Sequence, residues 1–171
     1  KYKGKYYQVT VKAGEKIALL GRNGAGKSSL LNALAGNMML NNGALALDGT
    51  QMHQIDPADV RRDVVLLSQH SRLFHGTLRY NLTLGKPTAT EEEIRNALVM
   101  SGAMPFVKQL SEGLDHLVLE GGLGLSGGQR QALLLARLML RDPNVILLDE
   151  PTAALDDNAE QHFLRALSAW V

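Results

Sequence analysis

The chain has no cysteine. That absence removes disulfides, thiolate metal sites and thiol nucleophiles together, and it suits a reducing compartment. An excess of charge of either sign is also missing: 18 Lys and Arg stand against 17 Asp and Glu, a formal net charge of +1. The arginines are scattered, so no basic stripe is present to displace counterions from a phosphate backbone, and no nucleic-acid partner is expected. Long hydrophobic runs are lacking too. The best candidate, ALLLARLML at 132–140, is broken by Arg137 and falls well short of the roughly 18 apolar residues a membrane span requires. Low-complexity blocks and internal repeats are likewise absent.

What remains is 171 residues with 45% hydrophobic and 20% charged positions. These are the proportions of a soluble globular domain large enough for one core, with or without a subsidiary lobe. QVTVK at 8–12 alternates like a strand with one wet face, and KIALL at 16–20 reads as a buried strand. The glycine-rich stretch that follows leads into SSLLNALAG, whose Leu30, Leu31, Leu34 and Ala35 have helical spacing and whose Gly36 reads as a C-terminal cap. GALALDGT predicts a short strand and a turn at Asp48-Gly49; DPADVRRD predicts a brief helix opened by Asp56 and Pro57; VVLLSQ predicts a second buried strand. From His70 to about Leu119 the texture is that of short helices (TLRYNL, EEEIRNALVMSGA, PFVKQL), read as a helical lobe inserted into an α/β core. SGGQRQALLLARLMLRD predicts a long helix capped by Ser126, NVILLDE a fully apolar strand, and DDNAEQHFLRALSAW an amphipathic helix.

GRNGAGKS at 21–28 fits G-x-x-x-x-G-K-[ST], between a predicted strand and a predicted helix. Phosphates are bulky and multiply charged. A site for them needs inward-pointing backbone N–H groups, glycines that permit close approach, and the positive end of a helix. Gly21, Arg22, Asn23, Gly24, Ala25, Gly26, Lys27, Ser28 and Ser29 are therefore the candidate phosphate binders, with Lys27 on the β- and γ-phosphates and the Ser28 hydroxyl on Mg²⁺. Asp149 ends an apolar strand, at the sheet edge where open α/β folds bind ligands, and there it can hold the metal through water. Glu150, next in the chain, is the candidate general base.

LSGGQRQ at 125–131 adds the string that makes the whole set familiar. The chain resembles the nucleotide-binding domain of ATP-binding cassette (ABC) proteins: GRNGAGKS resembles the Walker A loop, VILLDE the Walker B strand, LSGGQ the family signature and AALD the D-loop with Asp156. The four stand in the family's order, and the resemblance covers nearly the whole chain. It implies an α/β fold: a P-loop NTPase (RecA-like) core whose parallel sheet is flanked by helices, with an inserted helical subdomain. It implies ATP and Mg²⁺ as ligands, with Gln69 in the Q-loop position touching both nucleotide and metal and counted with Lys27 and Glu150 as catalytic. Leu125, Ser126, Gly127, Gly128 and Gln129 would form a second phosphate site, because the family pairs two domains head to tail with each ATP between one Walker A loop and the partner's signature. A homodimer is the simpler expectation, since both half-sites look complete.

RLFHGTLRYNLTLG at 72–85 resembles exporter-type ABC domains, where this stretch meets coupling helices of a transmembrane domain. LVLEGGLGLSGGQRQ follows the same exporter pattern, with Glu120 as the acidic residue that senses the partner. Type I secretion permease/ATPases and peptide or lipid exporters are the families it is most similar to. The resemblance implies ATP-driven export, at the cytoplasmic face of a membrane (the inner membrane if bacterial), with the transmembrane domain on this chain or another. It also implies one domain over 1–171, cut at both ends, with 1–69 and 140–171 as core and 70–139 as helical subdomain. The family's switch histidine, on a strand after the D-loop, has no counterpart: His162 comes too early and reads as a surface or packing residue. Of the aromatic residues that could stack on adenine, only Tyr2, Tyr6 and Tyr7 lie upstream, and they read as part of a strand face. Two rivals share much of this pattern: a soluble ABC ATPase acting on nucleic acid, and a regulatory ATP-binding module without turnover.

Overall fold

In a computed structural model, residues 8–40, 42–68, 70–153 and 155–171 are described. The glycine-rich stretch feeds helix α1, Lys27–Leu34. Its end is a Schellman turn: Gly36, at φ 74, donates to Ala33 O and Asn37 donates to Asn32 O. Strands β1 (Ala46–Leu47) and β2 (Thr50–Gln51) form a hairpin. The intervening Asp48 and Gly49 both have positive φ, 48 and 79, as the type I′ turn that suits a twisted hairpin requires. Asp56 caps α2 (Pro57–Asp63) by accepting from the Ala58 N–H at 2.7 Å.

β3 (Val64–Ser68) and β6 (Val145–Asp149) pair in parallel, in register from Val64 opposite Val145 to Ser68 opposite Asp149. A parallel pair needs a long crossover. Here that crossover holds the helical stretch: α3 (Leu78–Thr83), α4 (Glu91–Met100), α5 (Met104–Val107) and α6 (Gly127–Arg141). Helix α7, Asp157–Trp170, follows β6. α1 packs against both strands of the parallel pair, and α6 reaches β3. The result is an α/β core with its parallel sheet flanked by helices.

The main core forms around α6, whose Leu133, Leu135 and Ala136 are almost wholly buried. Leu78 and Leu82 of α3, Ile94 and Leu98 of α4, and Phe163 and Leu167 of α7 close around them. Each large aliphatic residue so buried contributes about 1.5–3 kcal/mol, which fixes α6 as the axis on which the other helices are hung.

Two expectations from the sequence differ from the structure. Residues 8–12 and 16–20 are not strands, and Ile17, Leu19 and Leu20 are 58%, 42% and 89% exposed. Periodicity selects residues fit for a strand, but a strand exists only through its ladder; among the described residues these two segments have no ladder partner and no element covering their apolar side chains. Conversely, the helical stretch contains a small antiparallel pair, β4 (Gly76–Thr77) with β5 (Leu117–Val118). Two-residue strands carry no readable alternation.

Candidate functional site

The loop at 21–26 stands open on the surface, and Lys27 behind it is partly buried. Gly24 and Gly26 adopt φ 77 and 92, a left-handed geometry that a side chain would strain. The Ala25 N–H donates to Arg22 O at 3.1 Å, which rounds the loop into a bowl. Lys27 curls back over it, its Nζ donating to Gly21 O at 2.9 Å and Arg22 O at 3.1 Å. No side chain caps α1, whose N-cap is Gly26. Positive helix potential, a concave backbone and one ammonium thus converge on a single exposed hollow, a setting for a polyanion.

α1, into which this loop leads, packs on β6. Asp149 closes that strand and is 8% exposed. No side-chain hydrogen bond or ion pair engages its carboxylate among the described residues. The next residue leaves the ladder sharply: Glu150 is exposed and sits at φ 48. A non-glycine residue held in that region costs about 1–3 kcal/mol, a cost found where function dictates placement.

At the far end of α6's apolar face, Ser126 Oγ accepts from the Gln129 N–H at 3.1 Å while the Gln129 side chain accepts from the Ser126 N–H at 2.9 Å. This capping box orders LSGGQ, and it leaves the Gly127 and Gly128 N–H groups without partners among the described residues. Gly128 has a further reason to be glycine: a Cβ there would sit 3.2 Å from Ala159 Cβ on α7. Asp156 caps α7 by accepting from the Ala159 N–H at 2.8 Å, so the D-loop and the signature meet where α6 and α7 touch.

The comparisons with known proteins agree with one another. The ABC transporter family model matches residues 5–153. The chain belongs to the ABC transporter family. It is 38% identical to the ATP-dependent lipid A-core flippase of Desulfotalea psychrophila, over 95% of this chain and 28% of that protein. It is 41% identical to the glutathione/L-cysteine transport system ATP-binding/permease protein of Haemophilus influenzae, over 92% of this chain and 26% of that one. A solved structure of a bacterial Atm1-family ABC exporter with ATP bound superimposes with a TM-score of 0.80 and 32% identity, covering 86% of this chain and 26% of that one. The chain thus spans about a quarter of the length of these relatives.

Within this ABC domain the helix that follows the Walker A loop packs on the Walker B strand, and Gly128 of the signature lies against Ala159 in the helix that follows the D-loop. Gln69, Ala154 and the three N-terminal tyrosines, Tyr2, Tyr6 and Tyr7, lie outside the described residues. His162 is exposed, and its Nδ1 is paired with Asn158 O at 2.8 Å on its own helix. The donor set fits Mg²⁺. A hydroxyl, Ser28, and an unengaged carboxylate, Asp149, are the oxygen ligands a hard cation takes alongside phosphate and water, and no cluster of three His, Cys, Asp or Glu among the described residues offers a fuller cage.

One pair stands outside the residues that the motifs single out. Asn81 is buried at 1% exposure, and Arg137 bonds both its backbone and its side-chain oxygen, at 2.7 and 2.9 Å. The sequence carries a faint signal of it: one arginine inside an apolar helix run, and one asparagine inside LRYNLTL.

Proposed function

We propose that this ABC domain binds MgATP, pairs head to tail with a second copy, and hydrolyses the nucleotide to drive export through a transmembrane domain at the cytoplasmic face of a membrane. The observation that carries the reading is the loop at 21–28, where Lys27 and the N-terminus of α1 converge, on a helix packed against the strand ended by buried Asp149. An ammonium already resting on backbone oxygens is exchanged for phosphate oxygens at little reorganisation cost, which favours tight β- and γ-phosphate binding. Ser28, Asp149 and Gln69 would hold Mg²⁺, which when bound neutralises charge on the phosphate oxygens. Glu150, turned out of the ladder, orients the attacking water and takes its proton. The N–H groups of Gly127 and Gly128, fixed by the capping box, close over the γ-phosphate of the opposite copy. Leu125 and Asp156 set the angle at which the two copies meet.

The relatives named as a flippase and as a transport system support export as the work performed, and the apolar face of 72–85 supports contact with a transmembrane domain. Their cargoes differ in chemistry while their ATPase segments match this chain about equally well, so cargo choice belongs to the transmembrane domain. The test is nucleotide-dependent cargo movement by the full natural chain in proteoliposomes. Export that needs MgATP and stops on chelation supports the reading. ATP turnover with no transmembrane partner points instead to a soluble ABC ATPase, and binding without turnover to a regulatory module.

A further inference from the structure

Arg137 is a half-buried cation that ATP chemistry leaves without a task. Its neighbours along α6 are aliphatic, with Leu133, Leu134, Ala136 and Leu138 all buried. No carboxylate pairs with it among the described residues. Burial pulls its pKa down to about 10, so it remains charged at neutral pH. A partly buried charge gives up part of its hydration, a cost that an aliphatic residue at this position would not carry.

What holds the charge is a set of fixed oxygens on one segment. Nε donates to Asn81 O at 2.7 Å, Nη1 to Arg72 O at 3.1 Å and Nη2 to Asn81 Oδ1 at 2.9 Å. The Phe74 ring centroid lies 5.8 Å from Cζ, within cation–π range. Asn81 extends the set by donating from Nδ2 to Phe74 O at 2.8 Å and Thr77 O at 3.1 Å, and by accepting from the Phe74 N–H at 2.8 Å. One guanidinium fork and one amide therefore fix the backbone at 72, 74, 77 and 81.

The outer face of this segment is uncovered: Phe74, Tyr80 and Leu84 are 48%, 49% and 39% exposed. A second tie leads from it toward the signature, with the Gly121 N–H donating to Leu73 O at 2.9 Å and the His75 N–H to Glu120 Oε2 at 3.3 Å. Arg137 and Ser126 are joined by one unbroken helix, a lever of about 16 Å at 1.5 Å per residue.

Building on the exporter reading, we propose that Arg137 is a positioning residue: through Asn81 it locks segment 72–81 onto α6, so that displacement of that segment's apolar face is carried along the helix to the signature at 125–129. Lysine cannot replace it, since an ammonium lacks the planar fork that reaches Arg72 O and both Asn81 oxygens at once.

The test uses the full natural chain in its membrane-reconstituted form, comparing Arg137→Lys, Asn81→Ala and the double variant for MgATP affinity, kcat and melting temperature. The expected result is an MgATP Kd within about twofold of wild type, a kcat lower by about tenfold or more in each single variant, and a double variant no slower than either single one. A kcat within about twofold of wild type in Arg137→Lys overturns the proposal. So does a joint fall of melting temperature, affinity and kcat with additive effects, which describes a residue that only holds the fold. Should the variants not fold, hydrogen exchange on the wild-type chain decides: MgATP should slow exchange in 72–82 and 123–130 together, and protection of the second segment alone overturns the proposal. Absence of turnover in the wild-type chain would strike the exporter reading itself, and is distinguished by needing no variant.

Discussion

Ser68 and Asp149 face each other as the last pair of the β3–β6 register. That pairing sets the height of the Walker B carboxylate at the strand end, and α1, which carries Ser28, packs on the same two strands. The end of the Walker B strand is thus placed by a ladder of apolar residues, Val64 to Leu67 against Val145 to Leu148.

Glu150 follows Asp149 at φ 48, outside the ladder and exposed. Glu150→Gln keeps size and hydrogen-bonding reach and loses the base. Turnover should fall by about 10² or more while MgATP affinity is kept. Single-turnover hydrolysis beside equilibrium binding checks this, and near-normal turnover would remove Glu150 from the role.

Lys27 rests on Gly21 O and Arg22 O in an exposed loop. Lys27→Ala should therefore change melting temperature little, because surface hydrogen bonds contribute only about 0.5–1.5 kcal/mol. ATP affinity should drop by at least about tenfold, since a charge-assisted phosphate contact is lost. Fluorescent-nucleotide titration reads the affinity, and an unchanged Kd would remove the loop from phosphate binding.

Ser126 supplies one half of the capping box. Ser126→Ala should lower stability by about 1 kcal/mol and turnover by about tenfold, because the Gly127 and Gly128 N–H groups remain but are less firmly aimed. MgATP affinity of the isolated chain should not move, as the Walker A loop is untouched. An affinity loss in the single chain as large as the turnover loss would place the signature in the same half-site as Lys27.

Much of this architecture is legible in the amino-acid sequence. α6 can be read from Ser126 at its cap and the spacing of Leu133, Leu134 and Leu138; the hairpin turn from Asp48-Gly49; the Walker A hollow from glycine, lysine and serine at fixed offsets. These are local signals, each decided by residues within a few positions of one another. KIALL cannot be judged that way, because a strand depends on partners elsewhere in the chain, and Leu20 ends up 89% exposed. The Arg137–Asn81 tie is hidden for a related reason: its two ends lie 56 positions apart, and nothing near either residue announces the other.

The measurement that bears most directly on the central claim is MgATP hydrolysis per monomer as a function of protein concentration. If two copies build each site from one Walker A loop and the other's signature, the rate per monomer should rise with concentration and level off as dimers fill. A rate per monomer that stays constant across dilution would mean that one chain completes the site alone. No hydrolysis at any concentration, with ATP still bound, would mean that the domain does not turn over, and would contradict the reading outright.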